Sequence, residues 1–250
     1  MRLVLWGNGG CRDNGLSASH FLREIASHGY VVIANGAARS ERPPIARLET
    51  PGAAPPAPLP TQRTPDETQV GQLLAGIGWA ERANAEKGGS LTGRIDLTRI
   101  AVMGHSCGGL QALAAGADPR GGAVMAFDSG VYNRPGTGLS GVQITKDDLK
   151  KLHTPVAYVL GGPGDMAFPN GTDDVAQIEH VPAMYVSLPV GHGGTLQLAN
   201  GGEWARVGVA WLNWQLKGDR EGARMFVGKD CGLCRAKEWT IVRKHFPEKP

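Results

Sequence analysis

Residues 99–113 read RIAVMGHSCGGLQAL. The apolar run Ile100–Met103 leads into Gly104-His105-Ser106-Cys107-Gly108, and a helix-like pattern follows. A serine at a sharp strand-to-helix turn takes strained backbone angles. Glycines two before and two after it remove the Cβ atoms that such a turn would drive together. The hydroxyl then stands above the strand end, where it can act as a nucleophile once a base takes its proton. The five-residue pattern alone is weak, since a chain this rich in glycine matches it ~0.2 times by chance. The rival reading is a glycine-rich turn with an incidental serine. The strand before and the helix after favour the nucleophile.

Such a serine needs an acid and then a histidine further along the chain. The run Val156–Leu160 ends in Gly161-Gly162-Pro163-Gly164-Asp165, an acid just past a strand. The run Met184–Val190 ends in Gly191-His192-Gly193-Gly194. Catalytic groups of α/β sheets gather at these carboxyl ends. His192 is the candidate base and Asp165 the group that fixes its tautomer. Asp128, also just past a strand, is the rival acid; Asp165 is preferred because it precedes the histidine strand directly. Of seven histidines, His20, His28, His153, His180 and His245 read as structural or solvated, and His105 as a packing residue beside the nucleophile.

Attack on a carbonyl also needs N–H donors for the developing alkoxide. Cys107, at the start of the following helix, supplies one. The loop Gly7-Asn8-Gly9-Gly10-Cys11 after the first strand supplies the other, from Gly10 or Cys11. If both loops flank one oxyanion, Cys11 and Cys107 come close. A disulfide between them and two buried thiols are both open readings. The remaining pair, Cys231 and Cys234, lacks the further ligands of a zinc site. It reads as a local disulfide or as two inert thiols, and a bridge would favour an oxidising compartment.

The elements that must position these residues form an α/β pattern. Strand-like runs at Leu3–Trp6, Tyr30–Ala34, Ile100–Met103, Ala123–Phe127, Val156–Leu160 and Met184–Val190 are short and mostly continuous, as in a sheet covered on both faces. Helical spacing marks Ser17–His28, Asp66–Lys87 and Glu203–Leu216, with Trp79 off the apolar stripe of the second. The expectation is a mostly parallel sheet with helices on both faces, one domain over 1–250, with 218–250 a C-terminal extension packed on it, of which 225–250 packs on the sheet or pairs as an edge. The Pro/Ala-rich stretch 41–65 and the Gly-rich stretch 133–145 read as loops. A net charge of +3 in 250 residues gives no case for nucleic acid, and Arg243-Lys244-His245 reads as a solvated tail. No apolar run reaches the length of a membrane span. Leu3–Trp6, ended by Gly7, is too short for a signal peptide and reads as a core strand.

Together, Gly104–Gly108, the Gly9-Gly10-Cys11 loop, Asp165 and His192 resemble the α/β-hydrolase superfamily over most of 1–216. The likeness is nearest to compact dienelactone-hydrolase-like, chlorophyllase-like and polyester-hydrolase-like esterases, helped by Leu22–Asn35. Residues 6–11, 104–109, 160–165 and 190–194 are similar to a group of microbial, often secreted members. The superfamily's usual β-hairpin before the first of these strands is missing. The resemblance implies ester hydrolysis through an acyl-enzyme, with no metal or cofactor and with a small-molecule or polymeric ester as partner to a monomer. Trp6, Tyr132, Met166 and Phe168 are candidates to line an acyl pocket. No long apolar lid helix is evident, which disfavours a lipase and suits short or aromatic esters. A serine peptidase of the same fold and a non-catalytic binding protein on this scaffold are the alternatives.

Overall fold

The computed structural model describes residues 1–38, 67–134 and 142–249. The loop expected at 41–65, the first residue of the expected helix at Asp66 and the centre of the 133–145 stretch lie outside them. Seven strands form one sheet: β1 (Arg2–Gly7), β2 (Tyr30–Ala34), β3 (Asp96–His105), β4 (Gly121–Phe127), β5 (Val156–Leu160), β6 (Ala183–Ser187) and β7 (Thr240–Lys244). Their order is β2-β1-β3-β4-β5-β6-β7. Neighbours are parallel except β7, which runs antiparallel to β6. The longer helices are α1 (Ser19–Ser27), α2 (Val70–Ala85), α3 (Cys107–Ala115), α4 (Phe168–Gln177) and α5 (Gly202–Lys217). Two short ones follow, α6 (Arg220–Arg224) and α7 (Gly232–Arg235).

Strand residues alternate between two apolar layers, because successive side chains leave a strand on opposite faces. Val4, Trp6, Ala101, Met103, Met125 and Val159 pack with α1 and α5 through Phe21, Ile25, Trp204 and Trp211. Leu3, Leu5 and Val102 pack with Leu73 and Ile77 of α2. Val124, Val156 and Leu160 join Leu110 and Leu113 of α3 and Val175 of α4. Each such burial contributes roughly 1.5–3 kcal/mol, which explains why the central strands read as continuous apolar runs.

Several boundaries differ from the sequence pattern. β6 stops at Ser187, just before Pro189, which has no N–H to continue the ladder. α2 begins at Val70, where Gln69 and Gln72 form a reciprocal capping box. α4 was not expected; its apolar stripe is short, but Pro169 suits a first helical turn. The basic end is not a solvated tail. Arg243 and Lys244 belong to β7, where the β-branched run Thr240-Ile241-Val242 favours a strand. The Arg243 guanidinium donates to the carbonyls of Phe226 and Gly228, the latter at 2.7 Å. Residues 218–249 bury Phe226, Leu233 and Trp239 beside α5, and β7 adds the edge strand beside β6. Among the described residues no helix is long and apolar enough to cross a membrane.

Candidate active site

Ser106 sits between β3 and α3 at φ 53°, ψ −120°, outside the regions that L-residues favour. Its N–H donates to the Phe127 carbonyl at 2.9 Å, and its own carbonyl accepts from Gly109 N–H and Ser129 Oγ–H. The turn is possible because β1, β3 and α3 touch backbone to backbone. A Cβ on Gly7 would lie 2.5 Å from the Gly108 carbonyl oxygen, and one on Gly108 would lie 2.6 Å from the Asn8 nitrogen.

Asp165 and His192 leave the ends of β5 and β6 and meet Ser106. His192 Nε2 is 2.9 Å from Ser106 Oγ, and His192 Nδ1 is 2.6 Å from Asp165 Oδ1. The three side chains come from positions 86 and 27 residues apart in the chain. Burial alone would raise the Asp165 pKa. Hydrogen bonds from His192 and from the Ala167 N–H outweigh it and hold the carboxyl below the ordinary carboxylate value. An anionic Asp165 places the imidazole proton on Nδ1, which leaves the Nε2 lone pair facing the serine hydroxyl.

Two neighbours have more to do than sequence suggested. His105 Nε2–H donates to the His192 carbonyl at 2.7 Å, tying the histidine loop to the end of β3. Burial pushes the His105 pKa down, so the ring is neutral. Asp128 is buried in the same space. Burial first, and the charge of Asp165 next, push its pKa well above the ordinary value. It is Asp165, not Asp128, that holds His192 Nδ1.

The loop after β1 is a 3₁₀ turn over Gly9–Cys11. The Cys11 N–H donates to the Asn8 carbonyl at 3.0 Å and is spent, which corrects the expectation that either Gly10 or Cys11 could face an oxyanion. A disulfide joins Cys11 to Cys107, and a second joins Cys231 to Cys234. A buried amide network holds the loop from behind. Asn8 Nδ2 donates to the Asn35 carbonyl at 2.6 Å, and Asn35 Nδ2 donates to Thr68 Oγ1 and Gln111 Oε1, each at 3.1 Å. Thr68 Oγ1–H donates to the Cys11 carbonyl at 3.0 Å. Sequence reading missed Asn35, Thr68 and Gln111. The one cue was Asn35, a polar residue directly after the apolar run Tyr30–Ala34.

A cleft beside Ser106 and His192 is lined by Leu110, Tyr132, Met166 and Asn170. Tyr132 and Met166 stand on this cleft. Trp6 and Phe168 do not. Trp6 faces the α1–α5 layer with its ring 4.9 Å from Phe21 and 5.8 Å from Phe127, because its place on β1 sends it to the closed face. Phe168 opens α4 and packs against Tyr185. A roomier apolar cavity between α1, β2 and Trp79 holds none of the three converging residues.

A serine, a histidine and a carboxylate in unbroken hydrogen-bonded series, at the carboxyl ends of a mostly parallel sheet, can activate a hydroxyl for attack. Neither protein-family models nor curated proteins match this chain.

Proposed function

We propose that the chain is a serine hydrolase of the α/β-hydrolase type that cleaves carboxylic esters through an acyl-enzyme. The observation that carries this reading is the series Ser106 Oγ–His192 Nε2 at 2.9 Å and His192 Nδ1–Asp165 Oδ1 at 2.6 Å. Ser106 Oγ bonds to the ester carbonyl carbon while its proton passes to His192 Nε2. Asp165 stabilises the imidazolium. The carbonyl π electrons move to oxygen, and that alkoxide accepts hydrogen bonds from the N–H groups of Cys107 and Gly10. The imidazolium proton then goes to the departing alkoxide as the C–O bond breaks, leaving Ser106 acylated. Water repeats the sequence: His192 takes its proton, the acid leaves, and Ser106 regains its hydrogen.

The two disulfides suit an oxidising compartment, and the group that the sequence resembles is often secreted. On this reading the acyl group is short or aromatic, and Met166, 44% exposed, stands at the edge of the cleft that would receive it. The test is a fluorophosphonate label with peptide mapping, beside hydrolysis of p-nitrophenyl esters and p-nitroanilides. The expected result is label on Ser106, ester turnover well above anilide turnover, and loss of both label and turnover in Ser106→Ala. Folded protein that takes no label contradicts the reading. Faster anilide than ester cleavage makes it a peptidase.

A further inference from the structure

One wall of the cleft beside Ser106 is used by no step of the proposed reaction. The segment after β4 and the start of α4 build it, and they are tied together at several places. A Cβ on Gly130 would lie 2.2 Å from the Gly171 nitrogen, so the two backbones touch. The Val131 N–H donates to Asp174 Oδ2 at 2.8 Å, and the Asn133 N–H donates to Asn170 Oδ1 at 3.3 Å. Lys146 Nζ donates to Asp174 Oδ1 at 2.5 Å and to the Asn170 carbonyl at 3.2 Å. These ties hold Tyr132 and Asn170, both half-buried, on the cleft.

The other polar side chains there are committed. Ser106 and His192 hydrogen-bond each other, the Ser129 hydroxyl donates to the Ser106 carbonyl at 2.8 Å, and Asp128 accepts from Trp204. Asn170 engages only its side-chain oxygen. Among the described residues nothing accepts from its Nδ2, and nothing pairs with the Tyr132 hydroxyl. Leu110, Met166 and Ala167 make the rest of the lining apolar. The described lining includes the acid Asp128 and no Lys or Arg.

We propose that Asn170, with the Tyr132 hydroxyl as a second donor, determines specificity by donating to a second, neutral carbonyl oxygen in the acyl group. The substrate class is then short oxoacyl esters and diesters of short dicarboxylic acids. This rests on the hydrolase reading. The amide –NH₂ offers hydrogens alone, so the atom it meets is an acceptor. A free carboxylate would find no cation on this wall and would face Asp128. A plain alkyl chain would strip water from both donors and return no hydrogen bond. Donors already fixed by the backbone cost little further ordering when the substrate arrives. A site built in this way discriminates against an analogue that lacks the acceptor.

Matched p-nitrophenyl esters test this: pentanoate against 4-oxopentanoate, and hexanoate against 5-oxohexanoate. Each kcat/KM is divided by that ester's rate of hydroxide hydrolysis, which removes the activation that a second carbonyl brings by itself. Wild type should favour the oxo member of at least one pair by roughly threefold to tenfold, the net contribution of one hydrogen bond. Asn170→Leu, shown to be folded by denaturant melts, should bring that ratio near one, with the change in KM rather than kcat. A wall loosened only structurally slows both members of a pair alike and leaves the ratio standing. Asn170→Asp keeps the oxygen that the Asn133 N–H needs and, ionised, has no donor; it should also abolish the preference. No oxo preference in wild type, or one that survives in Asn170→Leu or Asn170→Asp, overturns the proposal. A p-nitrophenyl hemisuccinate that outruns its methyl ester on the same scale overturns the neutral class. Failure of the hydrolase reading has a different signature, namely no fluorophosphonate label and no turnover of any ester, and it takes this proposal with it.

Discussion

Replacing Cys11 and Cys107 together by alanine tests how much of the site depends on a covalent brace. The bridge spans a sequence separation of 96, whereas Cys231–Cys234 spans 3. Loop-closure entropy in the unfolded chain gives about 4.7 kcal/mol for the long loop and about 1.6 kcal/mol for the short one at 25 °C. The long bridge also joins the Gly9–Cys11 turn to the first residue of α3, the two segments assigned to oxyanion binding. Urea melts of the two double-alanine variants, side by side, should show the first losing about 3 kcal/mol more than the second. Fluorophosphonate labelling of the folded first variant should slow toward the ~10²-fold loss of one oxyanion donor, since the Asn8–Asn35–Thr68 network alone must hold the loop. The labelling rate of the Cys231/Cys234 variant should not change. Equal stability losses in the two variants, with unchanged labelling in both, would refute the argument that the long bridge braces fold and site together.

Asp165→Asn should lower kcat by roughly 10⁴-fold with the fold intact, through the wrong imidazole tautomer; a greater loss of ester turnover in Asp128→Asn would give the orienting role to Asp128. Gly108→Ala places a methyl against the backbone of Gly7 and Asn8 and should cost at least ~1–3 kcal/mol in denaturant melts; an unchanged midpoint contradicts the close approach of β1 and α3. Trp6→Ala should cost about 3–5 kcal/mol as a core truncation while leaving the ranking of esters by acyl length unchanged. A changed ranking would return Trp6 to the cleft.

The order serine, acid, histidine was legible because each sits at the end of an apolar run in a glycine-rich turn, and strand, turn and helix signals are local. Six of the seven strands and the two-faced burial of the sheet could be read for the same reason. The basic pair in β7 was misread because a charged edge strand resembles a tail until β6 is there to pair with it. Trp6 was misplaced because nearness in sequence to a reactive loop does not tell which face of a strand a side chain takes. That Asp165 and not Asp128 holds the imidazole, that the Cys11 N–H is turned back on Asn8, and that Asn35, Thr68 and Gln111 brace the loop were decided by tertiary structure. Sequence by itself set which residue types end which elements. The pairing of those ends came from the parallel sheet, which brings segments 27 to 86 residues apart within a hydrogen bond, and from burial, which makes each polar atom enclosed there depend on the partners in reach.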